Sequence, residues 1–354
     1  MSDRKLIFIT GASRSGTTLL SFMLRNHPSV FGLKEMQYFG ECWDPRDSER
    51  RFTRVEAIEA AAAMFARQEH GVLSRKIGPS HRLRAASVLK GLGPLGSSPA
   101  AVFEAVVHDL ADSAGKSIPC EQTPRNIFYA RRLLDLYPAA HVVHIVRDPR
   151  AVMASQKLRW QRRSLSVNGQ AVPRYESLRV WVNYHPYTVA RLWSRASSVA
   201  LQMAERPRVT LIRFEDLLRE PDATMRLLCS RLGLEYAPAM LDVRQVNSSH
   251  QTSAGGARRG LHTDAIDQWR SKLSDTEIAI TERYCGRLMR RLGYDKTKVG
   301  STLNGVGEIG YRLSYVAHLG GVLLVNPRRA IVQGKALLRA SIQHPALARG
   351  EHAD

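Results

Sequence analysis

Three short, mostly apolar runs stand out along the chain: Leu6–Ile9, Val142–Val146 and Val209–Phe214. Runs of this length and composition read as strands buried on both faces. Helical spacing follows each of them. Leu19, Leu20, Met23 and Leu24 share one side of a helix from Thr17 to Leu24, and further helical patterns begin near Pro149 and near Asp222. Strand and helix in alternation predict an α/β fold, a three-layer arrangement with a central parallel sheet covered by helices. The period changes between Asp44 and Lys116, where Val55, Ile58, Ala62 and Phe65 line one helical face and Phe103, Val106 and Leu110 another, predicting a helical insertion over about 44–116. The glycine-rich stretch Gly91–Ser98 interrupts it, and Ser98 before Pro99 reads as the cap and first turn of the next helix.

The junction between the first strand and its helix carries the clearest chemistry. Gly11 and Gly16 bound the turn, and the helix opens at Thr17. The first amides of a helix have no partner within it and carry partial positive charge, so an anion is expected there. The glycine spacing is P-loop-like, but Thr17 stands where a P-loop has its phosphate-gripping lysine, and Arg14 lies inside the loop instead. A guanidinium offers a planar fork suited to a tetrahedral oxyanion. A second strand-to-helix switch, at Arg147–Arg150 with Pro149 in the first helical position, gives another place where main-chain amides face a ligand.

Composition narrows the partners. The 354 residues carry 52 Lys and Arg against 32 Asp and Glu, a net charge of +20. Such a field draws in a polyanionic small molecule, nucleic acid or an acidic membrane surface. No zinc-finger spacing, aromatic RNA-binding signature or long lysine block is present, which argues against a reader of nucleic acid. The four cysteines, Cys42, Cys120, Cys229 and Cys285, are scattered without metal-ligand spacing, the pattern of reduced thiols; no metal is expected, and a cytoplasmic setting is. The first strand begins by about Arg4, so no leader or anchor is expected before it. Leu313–Val325 is too short to span a bilayer but can lie on one, and basic residues after it leave peripheral contact with the inner membrane surface open.

The segments SRSGTTLL at 13–20, TPRN at 123–126 and VVHIVRDPRAVMAS at 142–155 together resemble the sulfotransferase family, closest to its tyrosylprotein sulfotransferase-like and bacterial branch. With weaker matches the likeness covers about residues 5–294. It implies a sulfotransferase domain over 1–295 and an extension over 296–354 that is helical or surface-associated. It also implies the donor PAPS (3′-phosphoadenosine 5′-phosphosulfate), leaving as PAP, and transfer of its sulfuryl group to a hydroxyl or phenol of a small metabolite, lipid, carbohydrate or tyrosine.

By that resemblance Arg14, the amides of Ser15, Gly16, Thr17 and Thr18 and the threonine hydroxyls hold the 5′-phosphosulfate. Arg147 and Ser155 hold the 3′-phosphate, and Arg258, Arg259 and Gly260 close over the nucleotide. Glu35, in the segment after the HPSV turn at 27–30, corresponds to the family's general base; His144, His27 and His185 are the histidine rivals. Gln122 stands where similar enzymes carry a lysine before TPRN, which removes a cation from the leaving-group side. RFEDLL at 213–218 reads as structural, and Tyr38, Trp43 and Arg159 as candidates for the acceptor side. Two other readings stay open: a nucleotide kinase, which would explain the glycine loop, and a noncatalytic PAP- or anion-binding module, which would explain Gln122. Oligomeric state is not legible.

Overall fold

The computed structural model describes residues 3–71, 76–92, 98–159, 178, 181–243, 261–298 and 305–327. The chain divides into two compact units. The first, built from Met1–Val146 and Ala200–Val246 with a short later segment, contains the whole sheet. Its five strands are β1 (Leu6–Gly11), β2 (Val30–Gly32), β3 (Ile118–Glu121), β4 (Ala140–Val146) and β5 (Val209–Arg213), in the order β2-β3-β1-β4-β5. All pairings are parallel, with Phe8 opposite Glu121 and Val142, and Gly11 opposite Ile145. The expected parallel α/β architecture is therefore present.

Two strands were not legible as apolar runs. β2 has three residues, and β3 reads IPCE, with a proline that cannot donate to the ladder and an acid at its end. Their burial comes from neighbours rather than from their own pattern. The last strand stops at Arg213, and Phe214 begins a helix, Phe214–Arg219, so RFEDLL is mostly helical rather than strand.

Helix α1 (Thr17–Arg25) follows β1, and the insertion contributes α2 (Arg54–His70), α3 (Pro79–Val88) and α4 (Pro99–Ser113). A Thr53–Glu56 capping box starts α2. Ala62 and Phe65 are buried as expected, but Val55 is 71% exposed and the buried side extends to Ala57, Ala61 and Met64. Alanines carry the real contact, and they weigh little in a hydrophobic pattern. Phe103, Val106 and Leu110 of α4 are buried as expected. Phe103 stacks on Phe8 of β1 at 5.9 Å and meets Phe39 at 4.7 Å. Tyr38 and Trp43 belong to this core: Tyr38 donates to the Pro99 carbonyl at 2.8 Å, and Trp43 to that of Asp47 at 3.0 Å. They do not face an acceptor. Helix α5 (Ala130–Leu136) precedes β4.

The second unit starts at Arg147, directly after β4, and includes α6 (Pro149–Lys157), most of α7 (Pro186–Met203), α10 (Asp275–Arg291) and α11 (Gly305–Val325); α8 (Phe214–Arg219) and α9 (Pro221–Leu232) belong to the first unit. Its interior holds an ionic cluster. Arg150 binds Asp148 at 2.7 Å and Glu282 at 2.7 Å, all three buried, with its guanidinium 4.2 Å from the Trp269 ring. Asp148 also caps α6 by accepting from the Arg150 amide at 2.8 Å. Removing one partner would strand buried charge, so this cluster fixes the start of α6.

Candidate functional site

In the first unit, the turn from β1 to α1 is built around main-chain geometry that only particular residues tolerate. Gly16 has φ +103°, and a Cβ there would lie 2.4 Å from the Phe214 ring; one on Gly11 would lie 2.7 Å from the Ile145 carbonyl oxygen. Arg14 also has positive φ, +79°, a conformation uncommon outside glycine and enriched at functional loops. Such turns aim successive N–H groups into one concavity that suits an anion.

The Ser15 amide donates to the Ala12 carbonyl at 3.0 Å, which closes the turn ahead of α1. Gly16 offers no side-chain cap, and no acidic residue occupies the first turn. The Ser15 side chain is fully buried, and its hydroxyl makes no hydrogen bond. Buried hydroxyls are normally satisfied, and an oxyanion in this turn would give the Ser15 hydroxyl an acceptor. An oxyanion fits this cradle on all three counts.

A second part of the first unit lies at the end of β3, next to β1 in the sheet. Glu121 is 1% exposed and accepts from the Met36 amide at 3.2 Å, the Thr123 amide at 3.0 Å, the Asn126 side chain at 2.7 Å and the Thr123 hydroxyl. Burial raises its pKa to about 7 against these hydrogen bonds, with a further upward push from the Glu35 charge. Thr123 does not cap the turn at Pro124–Tyr129 through its side chain; the hydroxyl serves Glu121 and accepts from the Gln37 amide at 3.1 Å. Gln37 itself has φ +46°, and Arg125 donates to its carbonyl at 3.3 Å.

These bonds tie the segment carrying Glu35 to the TPRN turn. Glu35 is half-buried and accepts from the Gln37 side chain at 3.2 Å. Lys34 is engaged elsewhere, its ammonium donating to the Glu69 carbonyl at 2.9 Å. Gln122 is 8% exposed, and its Oε1 has no partner. Glu121 was missed from sequence, because β3 shows no apolar run and the partners of the carboxyl come from the fold.

In the second unit, Arg147 and Ser155 line one small pocket together with Gln268, Trp269 and Lys272. The strand end and the helix two turns on are thus brought together as expected. Arg147 donates to the Ala265 carbonyl at 2.7 Å and its own carbonyl accepts from Trp193 at 2.9 Å, which sets its backbone in place. Lys272 is a cation the sequence did not single out. Its ammonium donates to Gln268 at 2.8 Å, and partial desolvation lowers its pKa. Arg147, Lys272 and a hydroxyl in one pocket beside an indole suit a phosphate. Arg258, Arg259 and Gly260 lie outside the described residues.

The histidine rivals have structural roles. His144 is buried against Thr10 at 3.1 Å, and burial pushes its pKa down to about 3. His27 bridges the Glu235 carbonyl at 2.8 Å and the Ser29 amide at 3.1 Å. His185 packs on Tyr187 and Tyr315. Glu69, His70 and His81 approach one another as metal ligands would, but the Gly78 amide donates to His81 Nδ1 at 2.9 Å. The neutral ring then carries its proton on Nε2, which donates to Glu69 at 2.8 Å instead of ligating.

The family model for the sulfotransferase family matches residues 7–238. The chain belongs to the sulfotransferase family. Among curated relatives of this sulfotransferase, nodulation protein NoeE of Sinorhizobium fredii (strain NBRC 101917 / NGR234) is 26% identical over 311 residues, covering 82% of this chain and 66% of NoeE. Human carbohydrate sulfotransferase 5 is 31% identical over 175 residues, 43% of this chain and 39% of its own. The omega-hydroxy-beta-dihydromenaquinone-9 sulfotransferase Stf3 of Mycobacterium tuberculosis (strain CDC 1551 / Oshkosh) is 24% identical, covering 49% and 41% respectively. The chain thus spans about two thirds of the length of NoeE and well under half of the other two. Among solved structures, the sulfotransferase domain from the curacin biosynthetic pathway superposes with a TM-score of 0.51 at 19% identity, over 83% of this chain and 99% of that one. That likeness establishes the fold. No helix among the described residues is long and apolar enough to cross a membrane.

Proposed function

We propose that this sulfotransferase uses PAPS as donor and moves its sulfuryl group to an acceptor hydroxyl, with Glu35 as general base. The observation that carries the reading is the loop cradle: an uncapped helix start, a buried Ser15 hydroxyl without a partner, and Arg14 held at positive φ inside the loop, with Thr17 in the place of a P-loop lysine. In the proposed assignment the loop amides of Ser15–Thr18, the Thr17 and Thr18 hydroxyls and Arg14 hold the 5′-phosphosulfate. Arg147, Ser155 and Lys272 hold the 3′-phosphate, which separates this nucleotide from ATP. Arg258, Arg259 and Gly260 keep their proposed role in closing over it.

The donor supplies an activated S–O bond. The acceptor oxygen forms a new bond to sulfur, the bond from sulfur to the 5′-phosphate oxygen breaks, and the phosphate leaves with the added charge as PAP. Glu35 takes the acceptor proton, a role worth about 10²- to 10⁴-fold in rate. Arg14 and the loop amides stabilise charge growing on the leaving phosphate. With Gln122 neutral in the place of a lysine, Arg14 carries that electrostatic work. Relatives named for carbohydrates and for an omega-hydroxy lipid quinone favour an alcohol of a carbohydrate or lipid over other acceptors.

Incubation with isotope-labelled PAPS and a metabolite extract, read by mass spectrometry for added sulfate, tests this directly. Labelled product supports it. ATP turnover with magnesium would instead support a kinase, and tight PAP binding with no transfer to a broad acceptor panel would support a noncatalytic module.

A further inference from the structure

Helix α11 is seated in the second unit through one side only. His185 Nε2 lies 3.2 Å from the Ser314 hydroxyl, and its ring meets those of Tyr315 at 4.9 Å and His318 at 5.0 Å. One turn further on, Val322 is 7% exposed. At 100° per residue these positions share a face with Tyr311, and the opposite face comprises Ile309, Leu313, Val316, Gly320, Leu323 and Leu324. The five large residues among them are between 56% and 85% exposed.

A helix packed on one side and facing water on the other ordinarily carries polar residues outward. Here the outward side is aliphatic along about 22 Å of helix, and Arg312 is the only formally charged residue between Ile309 and Val325. Beside it, Val182 lies against Gly321, and the next residue, Trp181, is 57% exposed. Exposed tryptophan is enriched where protein meets a lipid interface.

Charge chooses among occupants. The chain carries +20 overall, a charge that includes Arg328, Arg329, Lys335 and Arg339 in the sequence after α11. A second copy would bring two strongly basic chains together through this strip, whereas acidic lipid headgroups neutralise the same charges. The helix does not qualify as a span, so it would lie in the plane of the interface.

We propose that the outward side of α11, with Trp181, docks this protein onto the surface of a negatively charged lipid bilayer. The proposal does not depend on the reaction catalysed. The test is co-sedimentation of the full chain with vesicles of phosphatidylglycerol and phosphatidylcholine, against vesicles of phosphatidylcholine alone. Binding to the acidic vesicles, weakening with salt, is expected. The double variant Leu313→Glu/Val316→Glu should lower the vesicle-bound partition about tenfold or more, with circular dichroism and PAP binding unchanged. Vesicles should shift the tryptophan emission of the full chain to the blue, and Trp181→Phe should remove most of that shift. Failure to sediment with acidic vesicles at low salt overturns the proposal. So does undiminished binding by the folded double variant, or a dimer in light scattering that this variant converts to monomer.

Discussion

The Glu121 carboxylate accepts a hydrogen bond from the main-chain N–H of Met36 at 3.2 Å, across 85 residues of sequence. Met36 is the neighbour of Glu35, so a buried acid at the end of β3 fixes the segment that carries the proposed base. Four donors converge on this carboxylate, and Glu121→Leu would leave the Thr123 and Asn126 groups unsatisfied. The variant should lose about 3 kcal/mol of stability or more in urea denaturation.

The same residue predicts a pH dependence. Its pKa in the folded protein is raised from 4.5 to about 7. The folded state therefore binds the proton more tightly than the unfolded chain, and this contribution is full below pH 4.5 and lost as pH rises through 7. The change is about 3 kcal/mol in size. Denaturation of the wild type and of Glu121→Gln across pH 4.5–8 should show the wild type losing more stability on the alkaline side; parallel curves would contradict it.

Gly16→Ala forces a Cβ against the Phe214 ring at a backbone angle that L residues rarely adopt. A loss of about 1–3 kcal/mol is expected, together with loss of PAP binding in calorimetry. Adding Phe214→Ala should relieve the clash but not the backbone strain, so recovery should be partial.

The two proposed roles at the reacting end separate kinetically. Arg14→Ala should weaken PAP binding by about ten- to a hundredfold, as expected for a lost charged hydrogen bond. Glu35→Gln should retain PAP affinity and lower turnover by about 10²- to 10⁴-fold. Normal turnover by Glu35→Gln across pH would remove it as the base.

In the second unit, Lys272→Met should reduce affinity for nucleotides bearing a 3′-phosphate by about tenfold. Affinity for adenosine 5′-phosphosulfate, which lacks that group, should stay unchanged. Equal losses for both ligands would assign Lys272 a structural role through its Gln268 contact.

The sequence by itself determined the strands with continuous apolar runs, because β1 and β4 are buried on both faces and β5 keeps Val209, Thr210 and Ile212 buried. It also showed the loop through its glycine spacing, where Gly16 at φ +103° suits a residue without a Cβ; Arg147 and Ser155 were named by the family resemblance, and the fold sets them in one pocket. Tertiary structure alone decided the rest. β2 and β3 are too short to show a period and exist through their registers, β3 with β1 and β2 with β3. The buried face of α2 is mostly alanine, so its orientation depends on what it packs against. Glu121 and Lys272 acquire their meaning only from partners distant in sequence, because desolvation and hydrogen bonding across the fold set the state of a carboxyl or an amine, and neither leaves a local pattern in the chain.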